Sequence, residues 1–306
     1  MVEAKRKLIT GRLNLGEIAV PFRDIHQLFA DSPYGRKLEG EIRYGAFKPR
    51  EVTNSQWVEI LGPDVNNLYH LPLSYLSAGV FTKDCGEASF PSLEDREDML
   101  LTGLTHDWGE AISGDLQYGT KTARDEEEEL EALLRIAQEV TTDALGGDRL
   151  VDRINKVSRG ISFNPKSVLG TAFNVLERCG YTRTALRAWK KTYEVDKSSD
   201  VYPKLHLLAH DVGGGHLAEL VNLTDQYPAV AAFLTRNNRT ITEMFNLMPR
   251  QLVFEATGGQ NSKTARFDET RESWFENRHR FSRLPKLQNG ELPKASSRNG
   301  GVDMFQ

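Results

Sequence analysis

The chain has 306 residues, of which 39% are hydrophobic and 27% are charged, and its formal net charge is -4. This composition is typical of a globular protein, and the mild acidity argues against a general nucleic-acid binder, which is usually basic over its binding domain. Two cysteines are too few for a disulfide framework or a zinc knuckle. No segment has the about 18 apolar residues that span a bilayer, and the N-terminus lacks the apolar run of a secretory signal. The sequence therefore predicts a cytoplasmic protein with reduced thiols.

Three regions follow one another along the chain. Residues 1–64 mix short apolar patches with turn signals, and we expect an N-terminal extension that packs on the core. Over residues 65–225 the apolar residues recur at helical spacing, which predicts a helical domain. Residues 226–306 are expected to form a C-terminal helical extension with a loose basic tail. The predicted fold class is all-α.

One helix is predicted over residues 93–112. Ser92 precedes it and Asp95 follows three positions later, the spacing of a capping box. Gly114 is a typical stop, because glycine tolerates the left-handed backbone that ends a helix. This helix includes most of the stretch HDWGEAISGD, at residues 106–115, which places polar side chains among apolar neighbours.

Three side chains of that stretch can bind a metal ion. In an α-helix His106 and Glu110 lie on one face, four positions apart, and Asp107 lies one step around. An imidazole beside a carboxylate suits one divalent transition-metal ion such as Mn²⁺, Co²⁺, Ni²⁺, Fe²⁺ or Zn²⁺. The stretch therefore predicts a metal site, a proton-transfer site or both. The alternative is a helical core held by polar contacts without metal.

Further ligands must come from elsewhere in the chain. His70 lies in a helix-like run, and Pro72, which cannot donate a helical hydrogen bond, places that histidine near a helix start. Downstream, an apolar stripe at helical spacing over residues 186–193 is continued by Asp196. Asp200 lies on the same line and stays open as the alternative to Asp196.

In chain order, these residues resemble the H…HD…D signature of the HD-domain metal-dependent phosphohydrolases. The series consists of His70, then His106-Asp107, then Asp196. The longer pattern HD-x-x-E-x-x-x-G-D, followed by Lys121, is narrower and resembles the 5′-deoxynucleotidase branch. The resemblance covers residues 65–215. Tyr69 stands where the family usually has Glu, and the span from the HD dyad to Asp196 is longer than expected.

The resemblance implies an HD-domain helical bundle with site residues in stated roles. The metal ligands would be His70, His106, Asp107 and Asp196. Glu110 and Asp115 would orient the water and protonate the leaving group, with Asp115 on the attack side. Lys121 would bind the substrate phosphate, together with an arginine for which Arg43 is preferred to Arg50.

The function that the resemblance implies is a 5′-nucleotidase that hydrolyses (deoxy)nucleoside 5′-monophosphates to nucleoside and phosphate. One alternative is an HD hydrolase of nucleoside triphosphates or of other phosphate esters. Another is a degenerate HD domain that serves as a binding module, although the intact ligands and acidic pair argue against it. The expected partner is a nucleotide substrate.

Other polar features are expected to be structural. A second dyad, His210-Asp211, is followed by glycines at 213–215, which predicts a helix end and a turn. His206 lies four positions before His210, which leaves a second metal site as the alternative. The acidic run at residues 125–129 is predicted to be the solvated start of a helix, where carboxylates favour the dipole.

The region from Asn261 to Arg298 is basic, with nine Lys or Arg against five Asp or Glu. Four interleaved aromatic residues could stack on bases, namely Phe267, Trp274, Phe275 and Phe281. We expect a surface helix followed by a loose tail. Docking to another subunit of a homo-oligomer is the first alternative, and nucleic-acid binding is the least favoured.

Overall fold

The structure is a computed structural model. It describes residues 9–114, 121–143, 146–256 and 261–281, with side chains from residue 265 onward in the last range. The chain divides into two compact units, one ending at Gly180 and the other beginning at Tyr181. The described residues form helices and one two-stranded sheet, so the all-α prediction is confirmed. None of the described helices combines the length and the apolar character needed to cross a membrane.

The first unit contains a small antiparallel sheet and most of the helices. The strands are β1 (Arg12–Asn14) and β2 (Ala19–Pro21). The α-helices are α1 (Phe22–Ala30), α2 (Pro33–Glu39), α3 (Asn54–Leu61), α4 (Asn67–Ser89), α5 (Leu93–Thr105), α6 (Glu110–Ser113), α7 (Ala123–Thr141), α8 (Gly147–Val157) and the first part of α9 (Val168–Lys191). Short 3-10 turns lie at Gly45–Phe47 and Pro63–Val65, and a π-helical turn lies at Ser158–Ser162.

The N-terminal region contacts the helices of this unit. The ring of Phe29 in α1 stacks on Trp108, with centroids 4.5 Å apart, and Asn14 hydrogen-bonds to Glu97 of α5. The units do not divide at residue 64 or at residue 225, however, since the boundary falls inside α9.

Helices α4 and α5 approach closely at Gly103 of α5. A Cβ at this position would lie 2.9 Å from the backbone nitrogen of Tyr75 and from the backbone carbon of Ser74. Any side chain here would push the two helices apart, because well-packed interiors have no spare volume. Since α4 carries His70 and α5 leads into His106, Gly103 sets the spacing between these two histidines.

Replacing Gly103 by alanine should destabilise the protein by about 1–3 kcal/mol, the usual range for overpacking. Gly180→Ala is the matched control, because that glycine is also helical but has nothing within 4 Å of a Cβ. There alanine should stabilise by about 0.5–1 kcal/mol through its better helix propensity. Chemical denaturation measures both shifts, and stabilisation by both substitutions would contradict the close packing.

The second unit is also helical. It comprises the last part of α9, α10 (Val201–Asn222), α11 (Pro228–Leu247), α12 (Arg250–Ala256), α13 (Asn261–Asn277) and a 3-10 turn at Arg278–Phe281. The predicted helix end at residues 210–215 is wrong, because α10 continues through the three glycines. The reason lies in packing against α13: a Cβ on Gly214 would lie 3.0 Å from the ring of Phe267, and Thr270 Oγ1 donates to the carbonyl of Gly214 at 2.9 Å.

Most of the C-terminal aromatic residues lie in the core of this unit. Phe267, Trp274 and Phe281 are buried, and only Phe275 is partly exposed, with the guanidinium groups of Arg271 and Arg278 near its ring. Bases can stack only on accessible rings. Three of the four aromatic residues on which the nucleic-acid alternative rests are therefore unable to stack on bases. The tail predicted after residue 281 lies outside the described residues.

Stability should depend on pH through His206, whose ring packs edge-on against Trp189 and Tyr202. Burial lowers the pKa of His206 to about 4, whereas an unfolded histidine has a pKa of about 6.5. The unfolded chain therefore takes up this proton first, so stability falls as the pH drops from about 6.5 to about 4.

We expect this loss to be on the order of 3 kcal/mol by pH 4, since one pKa unit corresponds to about 1.4 kcal/mol. His206→Phe should flatten the acid side of a melting-temperature profile, and His279→Phe, at an exposed position, should not. An unchanged profile in His206→Phe would contradict the argument.

Candidate metal centre

Three potential metal ligands come together in the first unit. His70, His106 and Glu177 each offer one ligand atom, and these atoms all lie within 4.8 Å of one another. Among the residues that the structure describes, no other group of three His, Cys, Asp or Glu side chains does so, and the alternative of a second site at His206 and His210 gains no support. The cluster can hold a metal ion.

His70 enters this cluster from the first turn of α4. Asn66 precedes the helix, and its side chain accepts a hydrogen bond from the backbone nitrogen of Tyr69 at 3.1 Å. The predicted position near a helix start is therefore confirmed. Ser74, one turn further along, lies 3.0 Å from His70 Nε2 and donates to Glu177 Oε1 at 3.2 Å, so a single hydroxyl links two potential ligands.

His106 and Asp107 lie in a tight turn between two helices. The capping box at Ser92 and the stop at Gly114 are confirmed, but the helix predicted over residues 93–112 is not continuous. It ends at Thr105, and short i-to-i−3 bonds follow, including one from the backbone nitrogen of Glu110 to the carbonyl of Asp107 at 3.1 Å. The turn moves Glu110 out of the regular helical position expected from the sequence.

Arg43 is the positive side chain of the cluster. Its guanidinium lies 2.6 Å from Asp107 Oδ2 and 3.9 Å from Glu177 Oε2, and its backbone nitrogen donates to the carbonyl of Val65 at 2.7 Å. The region expected to be an N-terminal extension thus contributes a residue to the site. Arg43 therefore lies beside the candidate ligands.

The two carboxylates of the cluster are anionic at neutral pH. Burial acts to raise the pKa of Asp107, but the charges of His106 and Arg43 hold it well below its ordinary value. Burial also acts to raise the pKa of Glu177. That effect is outweighed by three neighbouring side chains, which lower the pKa to about 2, namely His106, His70 and Arg43. Two buried anions beside two imidazoles form an environment that favours a cation.

The pKa values of the two histidines are shifted in opposite directions. Burial, together with Arg43, lowers the pKa of His70, so its imidazole is neutral and able to bind metal. At His106 burial again acts to lower the pKa, but Asp107 and Glu177 outweigh it and raise the value. Because a metal-binding imidazole must be neutral, an ion bound here would replace any proton on His106 between the same carboxylates.

His106 gives the most direct reason to expect an ion. Neither ring nitrogen has a hydrogen-bond partner among the described residues, although the residue is only 7% exposed. Nε2 lies 3.2 Å from Asp107 Oδ1, but without the direction of a hydrogen bond. An unsatisfied buried polar group costs about 1–3 kcal/mol, and a metal ion at Nε2 would remove that cost. The residues present therefore fit a metal.

Two further predicted residues are found beside the turn. Glu110 is buried and accepts a hydrogen bond from Asn67 Nδ2 at 3.0 Å. Lys121 lies 2.6 Å from a carboxylate oxygen of Glu129, and the charges of Glu110 and Asp107 act on its pKa. Both side chains therefore lie within electrostatic reach of the cluster. Asp115 lies outside the described residues.

Asp196 is not a member of the cluster, and the prediction that it is a ligand is corrected. α9 ends at Lys191, so the apolar stripe does not continue to Asp196. The carboxylate of Asp196 is exposed and accepts a hydrogen bond from the backbone nitrogen of Ser198 at 2.9 Å. Asp200, the alternative, is also exposed.

Glu177 takes the acidic place that the sequence prediction gave to Asp196. It lies on α9 one helical turn after Phe173, whose ring is edge-on to His106 with centroids 5.2 Å apart. The sequence does not single it out. Glu177 is the one acidic residue of α9, but the pattern of that helix does not show that the carboxylate lies beside the histidines.

Comparisons with protein-family models, with curated proteins and with solved structures match nothing to this chain.

Proposed function

We propose that the protein is a metal-dependent phosphohydrolase of the HD type that removes phosphate from nucleoside 5′-monophosphates, with the 2′-deoxy forms preferred. One observation carries the proposal: the unsatisfied imidazole of His106 faces His70, Glu177 and Asp107 at short range. The mixed imidazole and carboxylate donors favour a divalent ion such as Mn²⁺, Co²⁺, Ni²⁺, Fe²⁺ or Zn²⁺.

A phosphate monoester is hard to hydrolyse because its negative charge repels the nucleophile. A bound divalent ion supplies positive charge at the phosphoryl group and makes water a better nucleophile. His70, His106 and Glu177 would hold the ion, with Asp107 beside them. Arg43 adds a guanidinium, which suits phosphate because its donors match two oxygens at once.

Glu110 is the described residue best placed to move a proton. It is buried, and the amide of Asn67 fixes one of its carboxylate oxygens. A carboxylate held in this way can accept a proton from water or donate one to the leaving oxygen. Asp115 remains the residue expected from the family pattern on the attack side, with Glu110 serving the leaving group.

The charge around the site supports a monophosphate. The cations described near the candidate ligands are Arg43, which is paired with Asp107, and Lys121, which is paired with Glu129. A phosphate monoester brings at most two negative charges, whereas a triphosphate brings considerably more into a site that already contains several carboxylates. Hydrolysis of triphosphates is therefore the second outcome of the test and not a second proposal.

The test is a phosphate-release screen of the purified chain with nucleoside mono-, di- and triphosphates against a panel of divalent metals. We expect release of inorganic phosphate from 5′-monophosphates, fastest with the deoxy forms, and dependent on added metal. Release of pyrophosphate or tripolyphosphate from deoxynucleoside triphosphates, with monophosphates untouched, would show that the substrate assignment is wrong. No hydrolysis of any phosphate ester would contradict the proposed reaction class.

A further inference from the structure

One member of the acidic run at residues 125–129 differs from the rest. Glu129 is only 4% exposed, whereas Glu126, Glu127 and Glu128 on the same helix are exposed. The prediction of a solvated helix start therefore fails for Glu129, although Thr122 and Asp125 do cap α7 as that prediction requires. A carboxylate is rarely buried to this extent without a charged partner.

The partner is Lys121. Its ammonium lies 2.6 Å from Glu129 Oε2, and its side chain is 24% exposed. Burial acts to lower the pKa of Lys121, but Glu129 outweighs burial and raises it, so the ammonium stays charged. The charges of Glu110 and Asp107 also act on this lysine. Lys121 and Glu129 thus form a largely buried ion pair.

The backbone of Glu129 is held directly against the metal-site turn. A Cβ on Gly109 would lie 2.4 Å from the carbonyl oxygen of Glu129 and 2.9 Å from its Cγ. Gly109 closes the turn that contains His106 and Asp107. No side chain separates α7 from this turn. The close contact therefore fixes the position of Glu129 relative to the turn that contains His106 and Asp107.

We propose that Glu129 is a positioning residue that holds the Lys121 ammonium in place to bind the substrate phosphate. This inference rests on the proposed function, since it takes the phosphate to belong to a phosphomonoester at the metal centre. Glu129 does not touch the substrate and acts through Lys121. A lysine without a partner samples many rotamers, so holding it in advance strengthens phosphate binding without any new contact.

Two other roles for the ion pair predict different results. If Glu129 competes with phosphate for Lys121, removing its charge should tighten phosphate binding. If the pair only supports the fold, removing it should lower stability and leave the Michaelis constant unchanged. Of the three roles, only positioning predicts that removing the charge of Glu129 weakens phosphate binding, and that it does so only when Lys121 is present.

The test compares Glu129→Gln with Glu127→Gln, the same change at an exposed position of the same helix. The full chain, loaded with Mn²⁺, is assayed with p-nitrophenyl phosphate, and binding of inorganic phosphate is measured by calorimetry. For Glu129→Gln we expect KM and the phosphate Kd to rise about tenfold, the scale of one charge-assisted hydrogen bond. We expect kcat to change little, and Glu127→Gln to match the wild type.

A double-mutant cycle gives the second readout. In a Lys121→Met background, Glu129→Gln should have no further effect on KM, because the lysine through which it acts is gone. An unchanged or lower KM in Glu129→Gln, or an additional loss in the Lys121→Met background, would overturn the inference. If Glu129→Gln does not fold, Glu129→Asp keeps the charge with a shorter reach, and a wild-type KM there would overturn it as well.

Failure of the proposed function gives a different pattern. In that case the wild-type protein itself would neither hydrolyse p-nitrophenyl phosphate nor bind inorganic phosphate. An active wild type with an unaffected Glu129→Gln variant would reject the positioning role alone.

Discussion

Glu177→Ala should lose the bound metal ion, whereas Asp196→Ala should keep it. Glu177 Oε2 lies 3.6 Å from His70 Nε2 and 3.8 Å from His106 Nε2, but Asp196 is exposed beyond the end of α9. Substituting a residue that merely supports a ligand costs about 10–100-fold in metal affinity, so loss of a ligand should exceed about 100-fold.

Calorimetric titration with Co²⁺ or Mn²⁺ measures both affinities, and circular dichroism checks that each variant is folded. Glu177→Gln is a milder companion that keeps the size of the side chain and removes its charge. It should also weaken metal binding, because an amide is a poorer ligand for these ions than a carboxylate. Wild-type affinity in both Glu177 variants, or loss of metal in Asp196→Ala, would restore the original assignment of Asp196.

Glu110→Gln should lower kcat by about 10²-fold or more, the usual scale of general acid–base catalysis. Glutamine keeps the length of the side chain and an oxygen that accepts the hydrogen bond from Asn67, but it cannot exchange a proton. Glu110 lies outside the group of three candidate ligands. Metal content and KM should therefore change little.

Steady-state kinetics and elemental analysis of the same preparation separate these effects. Asn67→Ala is the companion variant, since it leaves the Glu110 carboxylate intact but removes its hydrogen bond, and its loss in kcat should be smaller. Near wild-type kcat in Glu110→Gln would leave Asp115 as the acid–base residue. Loss of metal in Glu110→Gln would make Glu110 a ligand instead.

Local signals predict much of the site correctly. The capping box at Ser92, the stop at Gly114 and the position of His70 near a helix start each depend on residues within a few positions. Such short-range hydrogen bonds and backbone preferences can be read from sequence because they form within one or two turns of the chain.

Identifying the last acidic residue of the cluster requires the tertiary structure. Choosing Asp196 assumed that a helix continued past Lys191, which the turn after α9 contradicts. Glu177 becomes recognisable only when α9 is packed against the histidines, and a single helical pattern contains no information about that packing. The continuation of α10 through residues 213–215 has the same origin, because contact with Phe267 outweighs the low helix propensity of glycine.

Metal binding by the wild-type chain tests the central claim most directly. After removal of bound ions and dialysis against Mn²⁺ or Co²⁺, elemental analysis should find about one ion per chain, since the candidate ligands of the described residues form one cluster. His106→Ala, which removes the unsatisfied imidazole, should contain none while remaining folded. Absence of metal from the wild type, or full occupancy in His106→Ala, would contradict the account.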